Sequence, residues 1–272
     1  MRRISGTLGR QLLVLACLLP WVASAQAPAG PRLAAVMASK VLRVCIWPEY
    51  YGVTFRNLKT GVINGLDADM AREFARDLGV AVHFVDSSFA RLIDDLEAER
   101  CDLAMMAVAV TPQRAQRLAF SQAYLRSDVY AVTTRQNTRV RTWADIDRAG
   151  TRVAVAAGTY HESLMRERLQ QADLVVVKAP QLREAELEAG RVDVFMSDFP
   201  FTRKMSDNHD WVRVLAPPAP YFMVNAAYAL KPGDAAWLKR VNEFVAAVRA
   251  DGRLRTAATR YALDPILLQD AR

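Results

Sequence analysis

Residues 104–124 read Ala-Met-Met-Ala-Val-Ala-Val-Thr-Pro-Gln-Arg-Ala-Gln-Arg-Leu-Ala-Phe-Ser-Gln-Ala-Tyr. The apolar run 103–110 ends abruptly at Thr111-Pro112. A run of that length closed by a turn signal fits a strand buried on both faces. Thr111 suits the N-cap of a following helix. Pro112 suits its first position, where the missing N–H costs nothing. Arg114 is the oddity, because the first turn of a helix favours anions over cations. A guanidinium there makes sense if a carboxylate joins it, and Arg114 is therefore the first candidate site residue.

The same stretch carries a resemblance. Thr111-Pro112-x-Arg114, followed by Phe120-Ser121-x-x-Tyr124, resembles the signature of the bacterial extracellular solute-binding proteins, family 3. The resemblance extends over roughly residues 41–262. It implies an α/β chain with the type II periplasmic-binding-protein fold, two α/β lobes joined by two hinge crossings. It also implies a small zwitterionic ligand, an amino acid or analogue, delivered to the membrane permease of an ABC transporter.

The chain has 272 residues. Arg2, Arg3 and Arg10 precede an apolar run from 12 to 22, and Ala23-Ser24-Ala25 follows it. Such an order reads as a secretory signal peptide over 1–25 and places the mature protein in the periplasm. Losing those residues removes three arginines and no acid, so the formal charge falls from +7 to +4. No basic stretch alternates with aromatics, and we expect no nucleic acid partner. Residues 26–40, rich in Ala, Pro and Gly, read as a flexible lead-in. Cys45 stands late in one expected strand and Cys101 just before another. In adjacent parallel strands those positions are several residues out of level, so we expect two buried thiols.

Outward from the quoted stretch, strands and helices alternate. Val41–Ile46 reads as a strand, residues 67–78 as a helix, 80–85 as a strand and 92–99 as a helix. A second series follows: strand 152–157, helix 162–169, strand 174–177, helix 182–189 and strand 192–196. This order predicts parallel sheets covered on both faces, with ligands beyond the carboxyl ends of the strands. The two series echo each other. Leu96-Glu97-Ala98-x-Arg100-x-Asp102 matches Leu187-Glu188-Ala189-x-Arg191-x-Asp193, 91 residues later. The lobes are drawn as 41–129 with 226–272, and 130–225. The chain is read as a monomer.

The resemblance also assigns roles. Arg114 takes the position that grips an amino-acid α-carboxylate. Gly158 and Thr159 open a helix whose N–H groups face that carboxylate from the second lobe, and Tyr160 stands where the family usually has a hydroxyl residue. Asp198 takes the α-ammonium, while Tyr50 and Phe89 supply rings around the ligand. The departures are Ala107 and Ala109, where the family often has hydroxyls, and Trp47, where receptors for cationic amino acids carry an acid. They suggest a less polar ligand side chain, or a ligand that is not a standard amino acid.

Two rivals stay open. A cyclohexadienyl dehydratase-like lyase shares the fold, but its acidic residue would align with Phe201. An accessory protein of a periplasmic oxidation system is the other. His83, His161 and His209 are scattered without metal spacing, and all three read as structural or exposed. No phosphate loop or nucleophile elbow is present, so we expect no cofactor, no metal and no enzyme.

Overall fold

The computed structural model describes residues 30–179 and 181–268; the signal-peptide segment 1–25 lies outside them. The first sheet runs, in spatial order, Ala81–Asp86, Val41–Ile46, Leu103–Ala109, Val224–Leu230 and Ala119–Phe120. The first three strands are parallel and Val224–Leu230 is antiparallel to them. The second sheet repeats the pattern as Asp173–Val177, Arg152–Ala156, Val194–Asp198, Val129–Thr134 and Val212–Leu215. Each sheet is thus wound outward from its first strand, and each puts the carboxyl ends of three parallel strands on one edge.

The sequence echo has a structural counterpart. Helices Leu92–Glu97 and Arg183–Glu188 lead into strands Leu103–Ala109 and Val194–Asp198. Asp102 accepts the Arg43 backbone N–H at 2.7 Å, and Asp193 accepts that of Arg152 at 2.8 Å. The arginine side chains return to the helix-end carbonyls of Glu99 and Gly190, each at 2.9 Å. A carboxylate, buried at Asp102 and half-buried at Asp193, therefore fixes the start of the corresponding strand in each sheet.

The first core is built on the amphipathic helix Leu66–Leu78. Its Phe74 is fully buried and stacks on Phe244 and Trp237 of helix Ala235–Ala250. Truncating a ring so placed costs about 3–5 kcal/mol. The tail packs on this core through Leu254, Leu263 and Ile266, as the resemblance implied. The motif Phe120-Ser121-x-x-Tyr124 ties the chain to the return strand. Ser121 exchanges bonds with the Tyr228 backbone, and the Tyr124 hydroxyl donates to buried Asp67 at 2.5 Å. At the crossing between lobes, Asp128 accepts the backbone N–H groups of Tyr221 and Phe222 at 2.8 and 2.7 Å, joining the outgoing and returning segments.

Several expectations need correcting. Residues 31–39 are not a loose lead-in but a helix, Pro31–Ser39, that buries Val36. Arg32 anchors it to Asp234, Asp102 and Glu99. Cys45 and Cys101 form a disulfide, with Cα atoms 5.5 Å apart. Cys45 is indeed level with Ala104, as an in-line register requires. Cys101, however, is not in line with the strand. It belongs with Cys45, Leu92 and Leu96 to the cluster over one face of the sheet, where the chain arrives from the preceding helix. Helix Phe199–Asn208 and strand Val212–Leu215 were not foreseen.

Candidate functional site

The strand ends meet in the cleft. A narrow cavity between the sheets is lined by Trp47, Tyr50 and Phe89 from the first sheet's loops, and by Ala107, Ala109 and Arg114 from the stretch quoted first. The second sheet supplies Thr159, Tyr160, His161, Arg183 and Asp198. Six of the seven sequence-predicted residues thus line one cavity. The seventh, Gly158, touches it through Arg114.

Arg114 is 6% exposed. Thr111 caps the turn as expected, accepting the Arg114 backbone N–H at 3.3 Å, but the helix is a single turn, Pro112–Ala115. No helix N-terminus of useful length forms there, so the guanidinium carries the anion affinity alone. Its Nη1 donates to the Ala109 carbonyl at 3.1 Å, and its plane lies over Phe89, 5.2 Å from the ring centre. Nη2 crosses the cleft to the Gly158 carbonyl at 3.0 Å. Burial lowers its pKa to about 10. It remains charged at neutral pH, without a carboxylate partner among the described residues.

Gly158 corrects one expectation. Its N–H donates to Glu162 at 2.8 Å, and the Thr159 N–H to the Ala156 carbonyl at 3.3 Å. Neither amide is free for a carboxylate. The Gly158 φ of +75° turns the carbonyl toward Arg114, and a Cβ there would lie 2.4 Å from the Ala90 backbone. The lobes meet backbone to backbone at this point.

Asp198 closes strand Val194–Asp198 and caps helix Phe199–Asn208, accepting the Phe201 N–H at 3.3 Å through Oδ1. Its Oδ2 accepts the Tyr50 hydroxyl from the opposite lobe. Burial raises the Asp198 pKa, opposed first by the Tyr50 bond and then by the Arg183 charge. Burial likewise raises Tyr50 and Tyr160 well above the usual phenol range. Trp47, Tyr50 and Phe89 form a ring cluster with centroids 5.4–5.9 Å apart.

Two lining residues were missed. His161 was read as structural or exposed; it is buried, and both ring nitrogens lack a hydrogen-bond partner. The Ser197 backbone lies near it without reaching bonding geometry, and burial holds its pKa well below the usual value. Arg183 is the other. A basic residue in the first turn of a helix that follows a strand is the signal that flagged Arg114, and it applies equally to Arg183.

The family model for bacterial extracellular solute-binding proteins, family 3, matches residues 42–264. The chain belongs to that family. Cyclohexadienyl dehydratase of Pseudomonas aeruginosa is 28% identical over 89% of this chain and 90% of its own. The L-cystine-binding protein TcyJ of Escherichia coli is 23% identical, covering 74% of this chain and 75% of its own. Among solved structures, the ancestral amino acid-binding protein AncCDT-1, a precursor of cyclohexadienyl dehydratase, superposes with a TM-score of 0.77. It shares 24% identity and covers 84% of this chain and 98% of its own. The fold is that of the type II periplasmic binding proteins.

Proposed function

We propose that this chain is a periplasmic receptor that closes on an amino-acid zwitterion and hands it to the permease of an ABC transporter. One observation carries the reading. Arg114 and Asp198 come from different lobes, line the same buried cavity, and form no ion pair among the described residues. Charges buried in this way call for partners, and a zwitterion offers one to each. Arg114 grips the α-carboxylate and Asp198 takes the α-ammonium, with Tyr50 orienting the carboxylate of Asp198. Phe89, Thr159 and Tyr160 complete the wall, and Gly158 sets the distance of closest approach. The relatives that bind L-cystine and other amino acids support this use of the fold.

The closing motion follows from the division of the site. Each lobe offers one charged anchor to the open form, and a ligand that contacts both favours the closed one. The lobes so drawn are 41–129 with 226–272, and 130–225, in a monomer exported by the signal peptide over 1–25.

Similarity to a dehydratase favours a second reading, a lyase acting on a cyclohexadienyl compound. Binding is preferred because Asp198 is the only carboxyl lining the cavity, and it is engaged by Tyr50 and the Phe201 amide. The resemblance puts the lyase's acid at Phe201, which cannot donate a proton. A thermal-shift screen over amino acids tests the receptor reading, since a ligand of the folded state raises Tm. Turnover of a cyclohexadienyl compound by the purified chain, with no Tm shift from any amino acid, would reverse the preference.

A further inference from the structure

The charges in the cavity do not balance against a simple zwitterion. Arg114, Arg183 and Asp198 are the charged residues lining it. A ligand with one carboxylate and one ammonium satisfies Arg114 and Asp198 and leaves Arg183 over. Arg183 is 4% exposed. Its Nη1 donates to the Met196 carbonyl at 3.1 Å and its Nη2 to the Ser197 hydroxyl at 3.0 Å, both neutral acceptors. Its Nε has no acceptor.

No acid among the described residues forms an ion pair with it. Asp198 is near enough to be felt electrostatically but forms no ion pair with it. Glu184, the next residue along, is half-buried and acts on it more strongly than Asp198 does, but it lies outside the cavity lining and makes no ion pair with it either. The guanidinium is instead held between rings, 4.3 Å from the Phe201 centroid, 5.1 Å from Phe195 and 5.9 Å from Trp47. Rings fix its plane and exclude water without cancelling its charge, which raises its attraction for an anion. The Tyr160 hydroxyl and both His161 nitrogens, also in the lining, are equally without partners. The polar side of the cavity is therefore unsatisfied around Arg183, in the second lobe.

We infer that Arg183 is a second anion anchor, and that the ligand is an amino acid whose side chain carries a further carboxylate. The inference rests on the zwitterion reading above and sets the substrate class within it. It also reverses the expectation drawn from Ala107 and Ala109. Those alanines make one wall apolar, while the charge that selects the side chain stands in the first turn of helix Arg183–Glu188 in the other lobe.

Calorimetric titration of the unmodified protein with L-glutamate against L-glutamine, and L-aspartate against L-asparagine, tests this with ligands matched in size. The acid of at least one pair is expected to bind about tenfold or more tightly than its amide. Arg183→Gln is expected to weaken the acid by about thirtyfold or more while leaving amide affinity within about threefold. An amide that binds as well as its acid in both pairs would overturn the second anchor and leave the zwitterion reading standing. Binding of glutarate or succinate that depends on Arg183, with no amino acid bound, would support the anchor and overturn the zwitterion reading. Absence of binding by every one of these probes would overturn the second anchor, and the zwitterion reading would fall with it if no other amino acid raised Tm. If Arg183→Gln fails to fold, the acid–amide comparison in the unmodified protein decides alone.

Discussion

Nη2 of Arg114 donates across the cleft to the carbonyl of Gly158 at 3.0 Å. One lobe's cation is thus braced by the other lobe's backbone, close to where an α-carboxylate would sit. On the proposed reading Arg114 is both a ligand anchor and a latch, and closure depends on how near Gly158 can come.

Gly158→Ala is expected to impair closure. A Cβ at that position would stand 2.4 Å from the Ala90 backbone and 2.7 Å from that of Phe89, both in the opposite lobe. The left-handed φ adds roughly 1 kcal/mol of local strain. The clash exists only when the lobes meet, so affinity is expected to fall about tenfold or more with little change in the unliganded Tm. Small-angle scattering on the liganded variant checks this, by its failure to reach the compact form.

The Cys45–Cys101 disulfide closes a loop across 56 residues. Chain-entropy arguments give a crosslink over such a loop about 4 kcal/mol, at the top of the range of about 2–4 kcal/mol that disulfides typically contribute. Replacing both cysteines by alanine is expected to lower the unfolding free energy by about that amount, and the denaturation midpoint with it. Ligand affinity is expected to stay the same, since neither cysteine lines the cavity. Equal midpoints in oxidising and reducing buffer would refute the stabilising role.

Asp67 gives a pH dependence of definite sign. Burial raises its pKa to about 7, against the pull of bonds from Tyr124 and the Ala107 N–H, with Tyr228 also close. A carboxyl that holds its proton more tightly when folded contributes stability at low pH. That contribution declines as pH rises from the ordinary carboxylate range, near 4, to about 7. The slope is at most about 1.4 kcal/mol per pH unit. Asp67→Asn retains an acceptor for Ala107 and Tyr124 and is expected to abolish this slope in urea unfolding between pH 5 and 8. The bond to Ala107 bears on the site as well, because it holds a bulge in the strand, with φ +48°, where Ala107 faces the cavity.

Much of the architecture was legible because it rests on local chemistry. Thr111-Pro112 marked the strand end and the cap, and the echo around Asp102 and Asp193 marked two lobes built alike. Arg114 stood out because a cation in a first helical turn is unfavourable without a reason. Arg183 obeyed the same rule and went unread, because nothing in its neighbourhood marks the strand end as sharply as Thr-Pro does. His161 was missed for a different reason. Its burial depends on contacts with strand Val194–Asp198, more than thirty residues away in sequence. The disulfide was missed because in-line register was assumed for a residue that lies over the sheet. Helix Pro31–Ser39 was missed because Ala, Pro and Gly suggest a loop, whereas Arg32 recruits three acids from distant segments.

The central claim is that a zwitterion is held between Arg114 and Asp198. Calorimetry on Arg114→Ala tests it most directly, using the amino acid that binds the unmodified protein and circular dichroism to establish that the fold is kept. The account predicts no measurable heat of binding from a folded variant. Affinity equal to that of the unmodified protein would contradict it.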